Sequence, residues 1–257
     1  MTVDLLQLIL LGVIGILGGI LSGLVGVGGG IVFVPGLIYV GGWTIKEAVA
    51  ASLVIIAFSS LSGTIRSARN TDSIDWRVAG ILSLAVAPAS LIGVAISRIS
   101  PEAFVEIAFA AILLALAYPT ARGRQEFDES KKIPIPLVFV AGIFIGTLAG
   151  LVGVGGGVVM VPLMVFGMGI GTKRAISTSL AVILFTGIVG AAGYIATGFL
   201  GAEELLSLPP LIVGSMIGAP LGVRIRDRLP TGVVRGVFAS IMVVVALRLL
   251  SEALGLF

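Results

Sequence analysis

GLVGVGGGIVFVP occupies residues Gly23 to Pro35, and the nearly identical GLVGVGGGVVMVP occupies Gly150 to Pro162, 127 residues further along. Both copies lie inside long apolar runs, where helices are expected. Glycine in a helix interior is less favourable than alanine by about 1 kcal/mol. A cluster of glycines in such a run therefore predicts a helix that breaks, first over Gly26 to Gly30 with a restart near Ile31, and again at the equivalent positions of the second copy.

The composition is that of a membrane protein. Of 257 residues, 58% are hydrophobic and 11% are charged, with a mean hydropathy of +1.20. Soluble domains carry about 25% charged residues, so we predict an all-α polytopic membrane protein in the lipid bilayer of the cell (inner) membrane. The chain has no cysteine and no histidine, so we expect no cofactor and no metal site. The net charge of +3 comes from Lys and Arg in loops, and no nucleic acid partner is expected.

Charged residues divide the chain into apolar segments. Two runs, Leu5 to Ile45 and Ile133 to Thr172, contain no charge and are about twice the roughly 20 residues of one crossing. The shorter runs predict single crossings near 48–65, 78–97, 103–119, 175–202, 205–223 and 232–250. The most hydrophilic segment is 122–132, which predicts a first membrane repeat at 1–121, a cytoplasmic linker at 122–132 and a second repeat at 133–257.

The repeat continues beyond the glycines at the same offset of 127 residues. Matching pairs are Lys46 with Lys173, Ala48 with Ala175, Ser52 with Ser179, Leu53 with Leu180, Phe58 with Phe185, Ser59 with Thr186 and Gly63 with Gly190. We interpret the chain as a duplicated membrane unit.

The distribution of positive charge predicts the topology. If each long run crosses once, the 16 Lys and Arg residues divide evenly between the two sides. If each long run enters and returns as a hairpin, 13 of the 16 share one side, which the positive-inside rule assigns to the cytoplasm. A hairpin plus three transmembrane helices is an odd unit. The two repeats are therefore predicted to be inverted, with both termini outside the cytoplasm, as in many transporters.

The glycine breaks are the candidate substrate site. A helix that restarts inside the bilayer presents free N–H groups and the positive end of its dipole, which suits an anion. The substrate-binding residues predicted at the two breaks are Gly26, Gly28, Gly29, Gly30, Ile31, Gly153, Gly155, Gly156, Gly157 and Val158. The alternative is that the glycines only permit close helix packing.

Hydroxyl and lysine side chains extend this candidate site. Ser52, Ser59, Ser179 and Thr186 fall on one face of their helices and either donate to oxyanion oxygens or hydrogen-bond between helices. Lys46 and Lys173 follow the two hairpins, where they either steer anions at the pore mouths or snorkel to the interface. Since no Asp or Glu lies deep within a predicted crossing, the coupling ion stays open.

The duplicated GLVGVGGG motif followed by proline, the eight-segment hydropathy and the chain length resemble the sulfite exporter TauE/SafE family. The resemblance covers essentially the whole chain. It implies a transporter of sulfite, sulfoacetate or related sulfur-containing anions, in a family that does not fix the exact solute.

Other interpretations remain open at the level of sequence. A carrier coupled to a cation would bind Na⁺ at the unwound carbonyls of the same breaks. A membrane scaffold would use the glycines for packing alone. An enzyme is disfavoured, because the chain has no histidine, no cysteine and no buried pair of acids. The oligomeric state is open, with a homo-oligomer as one arrangement.

Overall fold

The structure, a computed structural model, describes residues 5–69, 73–101 and 134–253, with scattered positions between 103 and 118. Every regular element in the three continuous ranges is helical, as the composition predicts. In chain order these are α1 Leu5–Val25, α2 Gly30–Tyr39, α3 Ile45–Ala68, α4 Trp76–Ile99, α5 Ile135–Val152, α6 Gly157–Pro162, α7 Thr172–Ala196, α8 Ala202–Ser207, α9 Pro209–Arg228 and α10 Thr231–Ala253. A π-helical turn, Leu163–Gly167, continues α6.

Five of the described helices are long and apolar enough to cross a membrane, namely α1, α3, α4, α5 and α7. The crossing predicted at 175–202 ends earlier, at Ala196, and the one predicted at 205–223 begins at Pro209 after the short α8. Helix α9 carries Arg224, Arg226 and Arg228 near its end and is not among the five. The crossing predicted at 103–119 lies partly outside the described residues, and the linker 122–132 lies wholly outside them.

Each long uncharged run is interrupted by glycines in a left-handed conformation. Between α1 and α2, Gly26, Gly28 and Gly29 have φ of 75°, 89° and 83°. Between α5 and α6, residues 153, 155 and 156 repeat this with φ of 73°, 78° and 75°. A residue with a Cβ pays roughly 1–2 kcal/mol for this conformation, so only glycine fits without strain. We call residues 26–29 the first tip and residues 153–156 the second tip.

Each tip is the turn of a helical hairpin. The side-chain Nε2 of Gln7, near the start of α1, donates to the carbonyl oxygen of Val40 at 2.9 Å, just after α2 ends. In the second half, a Cβ on Gly156 would lie 2.8 Å from Cγ2 of Ile145 in α5. Helices α2 and α6 therefore fold back along α1 and α5, which brings each long run back toward the level at which it began.

Helices α1 and α9 run parallel in close contact through small residues. A Cβ on Gly15 would lie 2.5 Å from the carbonyl oxygen of Leu211, and Gly19 and Gly23 meet the backbone of Ser215 and Ala219 in the same order. From the other side, the α9 glycines 214, 218 and 222 meet the backbone of residues 12, 16 and 20. This spacing of four residues on both helices lets the backbones approach directly, as in small-xxx-small membrane interfaces.

Other contacts give the directions of the remaining helices. Helices α4 and α5 are parallel, since Gly146 meets the backbone of Val86 and Gly150 that of Ser90. Helices α3 and α7 are antiparallel, because Gly187 faces Leu53 and Ala57 while Gly63 faces Leu180. Helix α7 is parallel to α4, with an ion pair of 3.2 Å between Arg174 and Asp75 near their starts.

One end of the bundle collects most of the described charges. Lys173, near the start of α7, donates from Nζ to the carbonyl oxygen of Asp227 at 3.0 Å, near the end of α9. The ends of α3 and α9 and the starts of α4 and α7 therefore lie together, and we call this the basic end. Helices α1, α3 and α9 run toward it, and α4, α5 and α7 run away from it. Lys46 lies at the opposite end, 5.8 Å from the ring centroid of Phe199.

The close packing of α1 on α9 makes a testable prediction. Gly19→Ala should destabilise the protein by roughly 1–3 kcal/mol, because the new methyl overlaps the backbone of Ser215. Gly80→Ala in α4 is the matched control, since a Cβ there meets no atom within 4 Å. Thermal unfolding in detergent measures both variants. Equal melting temperatures for Gly19→Ala and Gly80→Ala would contradict this packing.

Candidate functional site

The two tips touch each other, backbone against backbone. A Cβ on Gly30 would lie 2.5 Å from the carbonyl oxygen of Gly153 and 2.8 Å from Cα of Val154. Reciprocally, a Cβ on Gly157 would overlap the carbonyl oxygen of Gly26 and lie 2.8 Å from Cα of Val27. All residues of 22–31 and 151–158 are buried. Gly30 and Gly157 thus allow an approach that any other residue would prevent.

The contact lies level with the middle of the two long central helices. Ile56 is at the centre of α3, and Ile183 is close to the centre of α7. A Cβ on Gly28 would lie 3.0 Å from Cγ2 of Ile56 and 3.2 Å from Cγ2 of Ile183, and one on Gly155 would meet the same two methyls at 3.3 and 2.9 Å. Two isoleucines therefore close over both tips at mid-depth.

Two serines join each half of the chain to the tip of the other half. The Oγ of Ser52 in α3 donates to the carbonyl oxygen of Gly153 at 2.6 Å, and that of Ser179 in α7 to the carbonyl oxygen of Gly26 at 2.7 Å. Each hydroxyl also lies near a carbonyl of its own helix, at 2.7 and 2.8 Å. In this conformation both serines make the hydrogen bonds between helices that the sequence leaves as one of two roles.

Backbone N–H groups at the starts of α2 and α6 are left without partners. The amides of Val32 and Phe33 donate to the carbonyl oxygen of Gly29, and those of Val159 and Met160 to Gly156. Among the hydrogen bonds of the described residues, none uses the amides of residues 28–31 or 155–158. Buried donors of this kind at a helix start suit the oxygens of an anion.

The remaining predicted residues lie away from this contact or have other partners. Ser59 is fully buried and its Oγ has no hydrogen-bond partner, whereas Thr186 donates to the carbonyl oxygen of Val182 at 3.1 Å within its own helix. Lys46 and Lys173 are half-buried at opposite ends of the bundle, and Lys173 is bonded to Asp227. The structure thus brings together the ten tip residues with Ser52 and Ser179 only.

Three functional candidates are absent from the sequence-based set. Ile56 and Ile183 are 127 residues apart, so the repeat offset could have identified them, but isoleucine in an apolar run draws no attention. Arg226 is the third, with a side chain buried against the expectation that every cation is at an exposed loop or span end. Its neighbours Arg224 and Arg228 give the sequence no means to single it out.

An all-helical bundle with five membrane-crossing helices and two interrupted hairpins defines a multi-pass membrane protein of the transporter class. The family model of the sulfite exporter TauE/SafE matches residues 11–249. The chain therefore belongs to the TauE/SafE family of membrane transporters.

Relatives of known name carry the same description. A probable membrane transporter protein of Bacillus subtilis (strain 168), YunE, is 25% identical over 275 residues, covering 97% of this chain and 99% of the relative. A probable membrane transporter protein of Methanocaldococcus jannaschii is 27% identical over 261 residues, covering 96% of each. A third, YdhB of Bacillus subtilis, is 24% identical over 74% of this chain and 79% of its own length. No solved structure matches the chain.

The serine bonds to the tips can be tested through a single introduced thiol. The chain has no cysteine, so Val27→Cys, buried at the first tip, would carry the one reactive group. Adding Ser179→Ala removes one hydrogen bond of about 1 kcal/mol, and labelling of the thiol by a water-soluble reagent should become roughly fivefold faster. Ser62→Ala is the control, because its Oγ donates within α3 to Ser59 at 2.9 Å. Equal labelling rates in the two backgrounds would show that Ser179 does not hold the first tip.

Proposed function

We propose that the protein moves small sulfur-containing anions, such as sulfite or organosulfonates, across the membrane, with the substrate held at mid-depth by the two opposed glycine tips. The observation that carries this proposal is the contact of the two tips level with the middle of α3 and α7. Non-helical backbone at membrane depth is tolerated only where protein buries it or where it lines a wet cavity. Packing alone would be served by unbroken helices.

Neutral donors hold the substrate in this proposal. Each helix start contributes about half an elementary charge, so the starts of α2 and α6 together approximate one positive charge. The unpartnered amides of residues 28–31 and 155–158 supply the hydrogen bonds. A site made of dipoles binds an anion less tightly than a fixed cation would, which is compatible with release on the other side.

The two halves form inverted repeats at 1–121 and 133–257, joined by the segment 122–132. Helix directions support this proposal. The pairs α1 with α5, α3 with α7 and α4 with α9 occupy equivalent places, and the members of each pair run in opposite directions with respect to the basic end. The tips, with matched φ values and reciprocal serine bonds, are related in the same way.

The conformation described here is closed around the tips. A substrate reaches the amides only when the tips separate from each other and from Ile56 and Ile183. The two serine bonds oppose this separation by about 1 kcal/mol each, which is within reach of thermal motion. We propose that each tip moves with its own hairpin and opens the site to one side at a time.

The basic end faces the cytoplasm in this proposal. Arg174 and Lys173 lie there beside the ends of α3 and α9, in agreement with the positive-inside rule. At the other end, Arg248 stacks 3.8 Å from the ring centroid of Tyr39, near the end of α2. Both termini are then outside the cytoplasm.

A carrier of another small organic anion coupled to a cation is the second candidate. The carbonyl oxygens of Gly26 and Gly153 face the centre of the site, and such oxygens bind Na⁺ in transporters with broken helices. Uptake that rises with an inward sodium gradient would favour this candidate, and uptake independent of sodium would favour the first.

Transport into proteoliposomes tests the proposed function. Radiolabelled sulfite should enter vesicles that contain the protein faster than empty vesicles, and excess organosulfonate should compete. Gly29→Val should abolish this uptake, since φ of 83° and the backbone of Gly18 exclude a branched side chain at the tip. Gly42→Val is the matched control, with φ of 69° and no atom within 4 Å of its Cβ.

Insertion and monodispersity of both variants separate loss of function from loss of fold. If Gly29→Val transports as Gly42→Val does, the tips do not hold the substrate. If the unmodified protein takes up none of the sulfur-containing anions, the proposed substrate class is wrong.

A further inference from the structure

A buried guanidinium lies at the basic end, outside the tips. Arg226 in α9 is 1% exposed, and burying a charged side chain is costly unless it is paired. Its Nε and Nη2 donate to Oδ1 of Asp227 at 3.1 and 3.0 Å. Its Nη1 is buried and has no hydrogen-bond partner. One edge of the fork is therefore satisfied and one nitrogen is free to donate.

Buried hydroxyls without partners lead from the level of the tips toward this arginine. Along α3 after Ile56, the side-chain oxygens of Ser59, Ser60, Thr64 and Ser67 are buried and none has a hydrogen-bond partner. The Nε of Arg66, one residue before Ser67, is in the same condition. Unpartnered buried donors are uncommon in proteins, where most buried polar atoms are bonded, and here five of them follow one another along half a helix.

The arginine and the hydroxyls belong to the same groove between helices. The positions 60, 63, 64 and 67 share one face of α3, and a Cβ on Gly63 would lie 3.6 Å from Cβ of Ala219 in α9. Both helices run toward the basic end, and Arg226 follows Ala219 by two turns. Side chains of a helix lean toward its N-terminus, so the long side chain of Arg226 extends back along the groove toward the level of Ser67.

The equivalent groove in the other half is not polar. At the offset of 127, Ser60, Thr64 and Ser67 correspond to Gly187, Ala191 and Tyr194. The hydroxyl of Tyr194 donates to the carbonyl oxygen of Gly150 at 2.9 Å, and Thr186 is bonded within α7. The unpartnered donors are therefore a property of the groove at the basic end and do not follow from the repeat itself.

We propose that the groove between α3 and α9 is a second anion-binding site, in which Arg226 and Arg66 with the hydroxyls of Ser60, Thr64 and Ser67 bind a freely diffusing small oxyanion at the basic end. Guanidinium nitrogens and hydroxyls are donors that match the several oxygens of a sulfite, sulfonate, sulfate or phosphate group. The site lies between the tips and the basic end. It rests on the proposed anion transport only for its role as a way station, since binding there does not require transport.

The test is equilibrium binding of sulfite, and separately of sulfate, to the full-length protein in neutral detergent. Arg226→Gln removes the fork and should weaken binding of the anion at this site by roughly tenfold to a hundredfold. Arg69→Gln is the matched control, because Arg69 is an exposed cation at the same end. Arg226→Lys keeps the charge and should recover part of the affinity, and size-exclusion profiles show whether each variant is folded.

The outcomes separate this site from the tips. A Gly29→Val protein that no longer transports but still binds sulfite, with binding lost on adding Arg226→Gln, supports a second site even if the tip proposal fails. Equal affinities for Arg226→Gln and Arg69→Gln in folded protein would overturn it. Repeating the measurement in vesicles of phosphatidylcholine with and without phosphatidylglycerol distinguishes a free anion from a lipid headgroup. Affinity that falls when the anionic lipid is added would assign the groove to the headgroup and overturn the proposal.

Discussion

Two breaks in the backbone meet at mid-depth, and the rest of the described fold depends on this contact. An unsatisfied backbone group exposed to lipid costs several kcal/mol, so the tips need protein on every side. Each tip supplies part of that cover for the other, with Gly30 against Gly153 and Gly157 against Gly26. Ile56 and Ile183 close the remaining sides. Hairpins that end at mid-depth can meet only if their long helices pack closely, which the glycines of α1 and α9 permit.

The tip contact is specific in geometry but modest in energy. Only two side-chain hydrogen bonds, from Ser52 and Ser179, join one half of the chain to the tip of the other. At about 1 kcal/mol each, their loss would shift an equilibrium between closed and separated tips by roughly thirtyfold in total. A transporter needs such a balance, because a site held closed by many kilocalories would not turn over. The unpartnered hydroxyls of α3 make the two halves unlike, so the proposed path differs on its two sides.

The sequence predicts the helix breaks well because a left-handed backbone requires glycine, and the repeat marks both copies. It predicts the all-helical membrane fold from composition alone. It does not predict the partners of the broken helices. Val86 meets α5 as Ser215 meets α1, which corresponds to an offset of 129 rather than 127. These contacts use backbone atoms, so the residues need not match and the repeat fades after Gly190. The burial of Arg226 beside two other arginines depends on packing against α3, which no local pattern records.

Cross-linking one tip to the other tests the central claim most directly. Val27→Cys and Val154→Cys place one thiol on each tip in a chain with no other cysteine. Transport of sulfite into proteoliposomes would be measured before treatment, after a short reversible bis-thiosulfonate reagent, and after reductant. If the tips separate to admit substrate, the linked protein should lose uptake and regain it on reduction, while either single mutant treated alike should keep it. Undiminished uptake by fully linked protein would show that the substrate does not pass between the tips.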